Sequence, residues 1–384
     1  MKILYDYQAF TMQQFGGVSK CFCELISHLP GETKYQIGIK QSKNAHLIEK
    51  KLVPNLCLPY IDEYNFITKL PFRGKKLLYS LSNSWLPFLP SVHNVNKKYS
   101  INLLKSGDFD IFHPTFFEDY FLSYLKGKPF ILTIHDMIPE LFPQYYKKNN
   151  AQILAKRKMA NLAAAIVTVS EQTREDVIRI LDVPEEKVKV IYHSGPQKEI
   201  IKETPLFGFP YFLYVGTRDG YKNFFQLLDD FAKFVRINPF VKMICTGTPF
   251  TYEEKIAIGK LNLQDCLIHI NASDSQLKNL YTNAIAFIYP SLYEGFGIPI
   301  LEAFAYGCPV LLNHKSCFPE IAASAALYFQ SDNNSSNIQE TLQTIINYTD
   351  KQRDELIQSG YKRLSYFSWE KSGRQLYELY QSIL

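Results

Sequence analysis

Short apolar runs alternate with amphipathic segments of helical period along the whole sequence, and this alternation restricts the possible folds more than any other feature of the chain. In the first half the strand-like runs are Lys2 to Tyr5, Tyr35 to Ile39, Ile111 to His113, Phe130 to His135, Ala165 to Val169 and Val188 to Tyr192. In the second half they are Phe212 to Val215, Val241 to Cys245, Leu267 to Ile270, Ile285 to Tyr289 and Val310 to Leu312. Such runs suit strands buried on both faces. Between two of them, Glu171 to Leu181 has a helical pattern that Ser170 can cap. The expected class is α/β, with parallel sheets covered by helices.

The stretch 194–210, SGPQKEIIKETPLFGFP, carries three prolines and two glycines without a clear period, so it reads as a linker. This divides the chain into residues 1–197 and 198–366, with 367–384 as a terminal helix. A length of 384 residues suits two domains. Each half opens with a strand, a glycine-containing loop and an amphipathic helix, and the economical arrangement is two Rossmann-like, doubly wound sheets facing a cleft. Ligands of such sheets sit beyond the carboxyl ends of the strands. The loops after strands therefore carry the functional weight.

Lys and Arg number 42 against 37 Asp and Glu, and a net charge of +5 does not point to nucleic acid as a partner. Seven scattered cysteines with no C-x-x-C argue against a disulfide framework or a zinc site. The start of the sequence lacks a signal-peptide pattern, and no apolar run is long enough to span a bilayer, so a cytoplasmic protein is expected. Asn65 to Lys98 is basic and aromatic with no Asp or Glu. It reads either as a peripheral contact with an anionic membrane, at its inner face, or as an excursion packed on the first domain.

The segment 287–309, FIYPSLYEGFGIPILEAFAYGCP, is the most informative. Pro290 ends a buried strand, Pro299 suits the first turn of a helix, and Gly307 can end that helix before Pro309. Glu294 then falls in the loop after the strand and Glu302 in the opening turn of the helix, which brings two carboxylates to the mouth of one cleft. Gly295 and Gly297 let backbone come close to a ligand, and the free amides of the helix start suit phosphate. A dinucleotide fingerprint is discounted because its third glycine is missing.

After the run ending at Val215 comes Gly216-Thr-Arg218-Asp-Gly-Tyr-Lys222-Asn223, with Asn223 a plausible helix cap. Arg218 and Lys222 are placed to clamp a diphosphate; an ordinary surface cation is the alternative for each. Gly16 and Gly17 form a close-approach loop between the first strand and a helix from Ser19 to Leu29. His135-Asp136 follows a strand and is an active-site candidate; His113 is a weaker one.

The string YPSLYEGFGIPILEAFAYGCPV, with VGTRDGYKNF, IHDMIPELFP, VTVSEQTREDV and the early FGGVS in order, resembles the family 4 retaining glycosyltransferases of the GT-B fold. The resemblance covers most of the chain and is poorest between about residues 40 and 105. It implies an acceptor-side first domain, a donor-binding second domain, and a C-terminal helix that crosses back onto the first. It further implies that Arg218 and Lys222 neutralise the donor diphosphate and that Glu302 binds the ribose hydroxyls. Glu294 and the backbone of Gly295, Phe296, Gly297, Ile298, Pro299, Ile300 and Leu301 would hold the transferred sugar and its phosphates. Gly16, Gly17 and Gly216 would approach the donor, and His135 would sit at the reacting face. Many members have arginine directly after the glycine of the second-domain loop or directly before its lysine, where this chain has Thr217 and Tyr221.

The expected reaction is metal-independent transfer of a hexose, with mannose favoured by the HDMIPELFP string, from GDP-mannose or a UDP-sugar to a glycan or lipid-linked acceptor in surface polysaccharide assembly. No metal or other cofactor is expected. Retention by front-face attack is implied by the resemblance alone. A nucleotide-sugar epimerase on the same plan and a catalytically silent nucleotide-sugar-binding protein are the alternatives.

Overall fold

The computed structural model describes residues 1–58, 74–75, 77–78, 91–146, 151–200, 203–332 and 335–384. Strands β1 (Lys2–Tyr5), β2 (Lys34–Ile37) and β3 (Ile111–His113) pair in the order β2-β1-β3. Strands β4 (Ile131–Ile134), β5 (Ala165–Thr168) and β6 (Val188–Val190) pair as β4-β5-β6. An isolated parallel bridge between Phe112 and Phe130 joins these two sheets. All strand pairs are parallel. Strands β3, β4 and β5 are buried along their whole length, which explains why they read as unbroken apolar runs.

The second half forms one six-stranded parallel sheet from β7 (Tyr211–Tyr214), β8 (Lys242–Thr246), β9 (Leu267–Ile270), β10 (Ala286–Tyr289), β11 (Val310–Asn313) and β12 (Leu327–Phe329). Its order is β12-β11-β10-β7-β8-β9. From β7 the chain steps outward through β8 to β9, then returns to lay β10 on the other side of β7. The loops after β7 and β10 thus diverge and leave a crevice, the switch point where doubly wound sheets bind ligands. Strand β12 lies within 325–329 but is too short for periodicity to reveal.

The helix Glu171–Leu181 has the bounds expected, and the Ser170 side chain accepts from the Thr173 amide. The first-half helix begins earlier than expected, at Gly17. The cap expected at Asn223 is absent: this residue takes a left-handed conformation (φ 58°) and its side chain makes no cap bond with the helix Phe224–Ile237. Instead Asn223 Nδ2 donates to Ser331 Oγ.

The C-terminal helix Trp369–Ile383 packs on the helix Gly17–Ser27, with Trp369, Leu376 and Tyr380 in one cluster with Ile3, Tyr5 and Phe22. Tyr380 Oη is 2.8 Å from Tyr5 Oη and 2.6 Å from His113 Nδ1, while His113 Nε2 is 2.8 Å from Thr133 Oγ1. Both ring nitrogens of His113 are therefore engaged in the core, and the residue is structural. Among the described residues no helix is long and apolar enough to cross a membrane. Most of the basic stretch 65–98 lies outside the described residues; of the rest, Lys75 is buried and Lys97 pairs with Glu118 at 3.0 Å.

Candidate active site

Lys222 and Glu294 meet at the switch point. Lys222 ends a short turn after β7, Glu294 lies in the loop after β10, and their side chains form a salt bridge of 2.7 Å with only 13% and 10% exposure. Ser291 Oγ donates to the same Glu294 oxygen at 2.6 Å. The rings of Tyr221 and Tyr289 lie near the ammonium, with centroids 5.0 and 5.6 Å away. The backbone of the Glu294 loop is held as well: Ser316 Oγ donates to Glu294 O at 2.8 Å, and Leu292 N to Tyr221 O at 2.8 Å. A carboxylate and an ammonium in low dielectric, each tied down, form a polar site that needs little reorganisation on binding.

Glu302 sits on the helix Ile298–Ala305, in its second turn and not in the opening turn as the sequence reading had it. Its Oε1 is 3.2 Å from Lys20 Nζ, and its Oε2 accepts from Tyr281 Oη at 3.4 Å. Gly297 caps this helix at φ 92°, a conformation that favours glycine. Pro299 has no amide and the Ile300 amide donates to Gly297 O at 2.9 Å, so the opening turn offers fewer free donors than a usual helix start. The side chains of Phe296, Ile300 and Leu301 are buried in the core, so these residues have only backbone to offer a ligand.

Two residues stand elsewhere than the sequence reading placed them. Arg218 turns away from the crevice, its side chain only 1% exposed: Nε bonds Glu254 Oε1 at 2.8 Å, and the guanidinium also donates to the Thr248 and Pro249 carbonyls between Phe224 and Phe250. A buried guanidinium is held by whichever carboxylate can reach it, and Glu254 does. Gly295 approaches protein, not open space. A Cβ placed there would lie 1.8 Å from the carbonyl oxygen of His135. Its own carbonyl accepts from Ser170 Oγ at 2.6 Å, so the loop after β10 is docked on the first half.

In the first half, His135 follows β4 directly. Its Nε2 is buried and has no hydrogen-bond partner. Burial, aided by the positive charge of Lys156, lowers its pKa to about 4, so the ring is neutral near pH 7. Lys156 pairs with Glu140 at 3.0 Å and donates to the Asp136 carbonyl at 3.2 Å, which fixes the turn after His135. Of the two early glycines, Gly17 faces open space, whereas a Cβ on Gly16 would meet Gln13 Oε1. Gly216 has φ 119° and its carbonyl lies against Gly247.

The sequence reading passed over His193, which lies after β6. Its Nδ1 is 3.2 Å from Cys21 Sγ, and its ring is 5.6 Å from that of His135. Its place just beyond a strand was the available signal. Cys21, His135 and His193 offer ligand atoms within 4.8 Å of one another, the one such set among the described residues. Two neutral imidazoles suit a soft metal, but burial drives the Cys21 thiol well above its usual pKa, so binding there must expel a proton. A cavity of about 760 Å³ opens by the carboxyl ends of the first-half strands, lined by Met12, Phe116, Phe117, His93, Asp119 and Lys158 among others.

Residues 71–194 match the family model Glycosyltransferase Family 4, and residues 196–363 match the model Glycosyl transferases group 1. The O-antigen chain mannosyltransferase RfbU of Salmonella typhimurium is 29% identical over 53% of this chain and 58% of its own length. The O-antigen chain mannosyltransferase B of Escherichia coli is 27% identical over 65% of this chain and 70% of its own. Among solved structures, Anabaena HepE in complex with UDP and glucose superposes with a TM-score of 0.72 at 16% identity, covering all of both chains. The sucrose-phosphate synthase of Thermosynechococcus elongatus gives 0.69 at 17%, covering 99% and 98%. The crevice at the switch point, the docked loop after β10 and these matches lead to one conclusion: the chain belongs to the family 4-like glycosyltransferases with the GT-B fold.

Proposed function

We propose that the protein transfers a hexose, in our reading mannose, from a nucleotide diphosphate sugar to a glycan or lipid-linked acceptor in surface polysaccharide assembly. The single observation that carries the donor reading is the buried Lys222–Glu294 pair at the switch point of the second sheet. The mannosyl and O-antigen part rests on the two relatives named above. Breaking a sugar–diphosphate bond builds negative charge on the leaving phosphate and positive character on the sugar. Lys222 is placed to meet the first charge. In this reading Glu294 takes sugar hydroxyls, and Glu302 those of the ribose. Neutral His135 keeps a buried ring nitrogen without a hydrogen-bond partner in the turn after β4. Front-face attack, with the leaving phosphate accepting the acceptor's proton, gives retention without a carboxylate nucleophile. The aromatic and charged lining of the first-half cavity suits a saccharide acceptor.

The test is a panel of UDP-, GDP- and ADP-sugars, read by thermal shift and by hydrolysis or transfer. GDP-mannose is expected to give the largest shift, and Glu302→Ala to weaken its calorimetric affinity by about tenfold or more. Unchanged affinity removes Glu302 from the nucleotide site. Turnover is expected to persist in EDTA; abolition with recovery on adding a divalent ion would overturn the metal-free route and direct attention to Cys21, His135 and His193.

A further inference from the structure

We propose that Lys20 is a donor-binding residue that holds Glu302 in the empty cleft and moves to the donor's phosphates when the ribose hydroxyls take over that carboxylate. The proposal rests on the donor reading above. Lys20 lies in the first turn of the helix Gly17–Ser27, in the half opposite Glu302, and its ammonium bridges the two halves at 3.2 Å. A ribose diol offers two hydroxyl donors, one for each oxygen of a carboxylate that accepts it in a bidentate manner. Here one oxygen is occupied by Lys20 and the other is at 3.4 Å from Tyr281 Oη. A bound ribose therefore competes with the ammonium for Glu302 and loosens its hold.

The charges in the crevice say where the ammonium goes. Two lysines and two glutamates form two pairs, Lys222 with Glu294 and Lys20 with Glu302, and together they carry no net charge. Arg218 is engaged with Glu254 and its side chain is only 1% exposed, and Tyr221 next to Lys222 is uncharged. An entering diphosphate brings at least two negative charges, and Lys222 alone does not balance them. Lys20 is the more mobile partner: its side chain is 34% exposed against 13% for Lys222, and its pair is longer by half an ångström, 3.2 against 2.7 Å. A four-carbon stem lets the ammonium swing without moving the helix. Because Lys20 comes from the first half, the phosphate site is complete only when the halves are together.

Calorimetry on the full chain tests this with UDP and uridine, and with GDP and guanosine, for the unmodified protein, Lys20→Ala and Lys20→Arg. The alanine variant is expected to bind the diphosphate that the unmodified protein prefers about tenfold or more weakly, and its nucleoside equally well or a few-fold tighter. The arginine variant should stay within about threefold for both. Thermal melting should be unchanged, since Lys20 is partly exposed. Equal changes for diphosphate and nucleoside, in either direction, or none for the diphosphate, would make Lys20 a mere latch on Glu302 and overturn the proposal. If the unmodified protein binds neither diphosphate, the donor reading itself fails, and the proposal falls with it.

Discussion

Gly295→Ala is expected to reduce glycosyl transfer by about a hundredfold or more while both halves stay folded. A methyl group at this position would lie 1.8 Å from the His135 carbonyl oxygen, a backbone atom at the end of β4 that cannot rotate aside. Asp136 Cβ is 3.2 Å from the same point, so a small shift of the loop meets a second obstacle. The remaining relief is to part the two halves, and that breaks the Ser170 Oγ bond to the Gly295 carbonyl and moves His135 away from the Lys222–Glu294 pair. The glycine is needed for this close approach alone. Turnover, together with the radius of gyration in solution, checks the expectation: the variant should be more open and inactive, and should bind the nucleotide diphosphate about tenfold more weakly because parting the halves withdraws Lys20. Turnover within threefold of the unmodified protein would mean that chemistry does not require this docking.

The second large effect is loss of stability in mild acid. His113 and His135 have their pKa values lowered to about 3 and about 4, and that of His193 lies well below the usual value, in each case chiefly through burial. In the unfolded chain the same imidazoles take up protons near pH 6.5. Below that pH the unfolded state binds more protons than the folded one, so stability must fall as pH falls towards 4. His113 and His135 each contribute about 1.4 kcal/mol per pH unit once well below 6.5, roughly 4 kcal/mol together between pH 7 and 5, and His193 adds in the same direction. Buried Asp6 acts in the opposite sense, because burial raises its pKa and acid relieves that cost. Denaturant unfolding at pH 7, 6 and 5 measures the slope. His193→Gln should flatten it, and a slope near zero would contradict neutral burial of these rings.

The His193 ring shows where sequence reading stops. It lies three residues beyond β6, whereas His135 follows β4 directly; the turn after it carries no motif, and its approach to Cys21 links residues 172 positions apart. Arg218 shows the opposite failure. Its place in a strand-end loop beside Lys222 was right, but direction depends on Glu254, 36 residues further on, which the chain brings within 2.8 Å. Gly295 and Gly297 were both recognisable as conformational positions. Only Gly297 uses its freedom in φ; Gly295 uses the space that a side chain would fill, and that space is defined by the other half.

The sequence by itself determined the α/β class, nearly all the strands, the helix after Ser170 and the segment bearing Glu294 and Glu302, because burial on both faces of a parallel sheet and local turn chemistry leave their mark on neighbouring residues. The tertiary structure decided which charges meet. Lys222 with Glu294, Lys20 with Glu302 and Arg218 with Glu254 are pairings between distant segments, and a long cation has no preferred partner until folding removes water and sets a carboxylate within its reach.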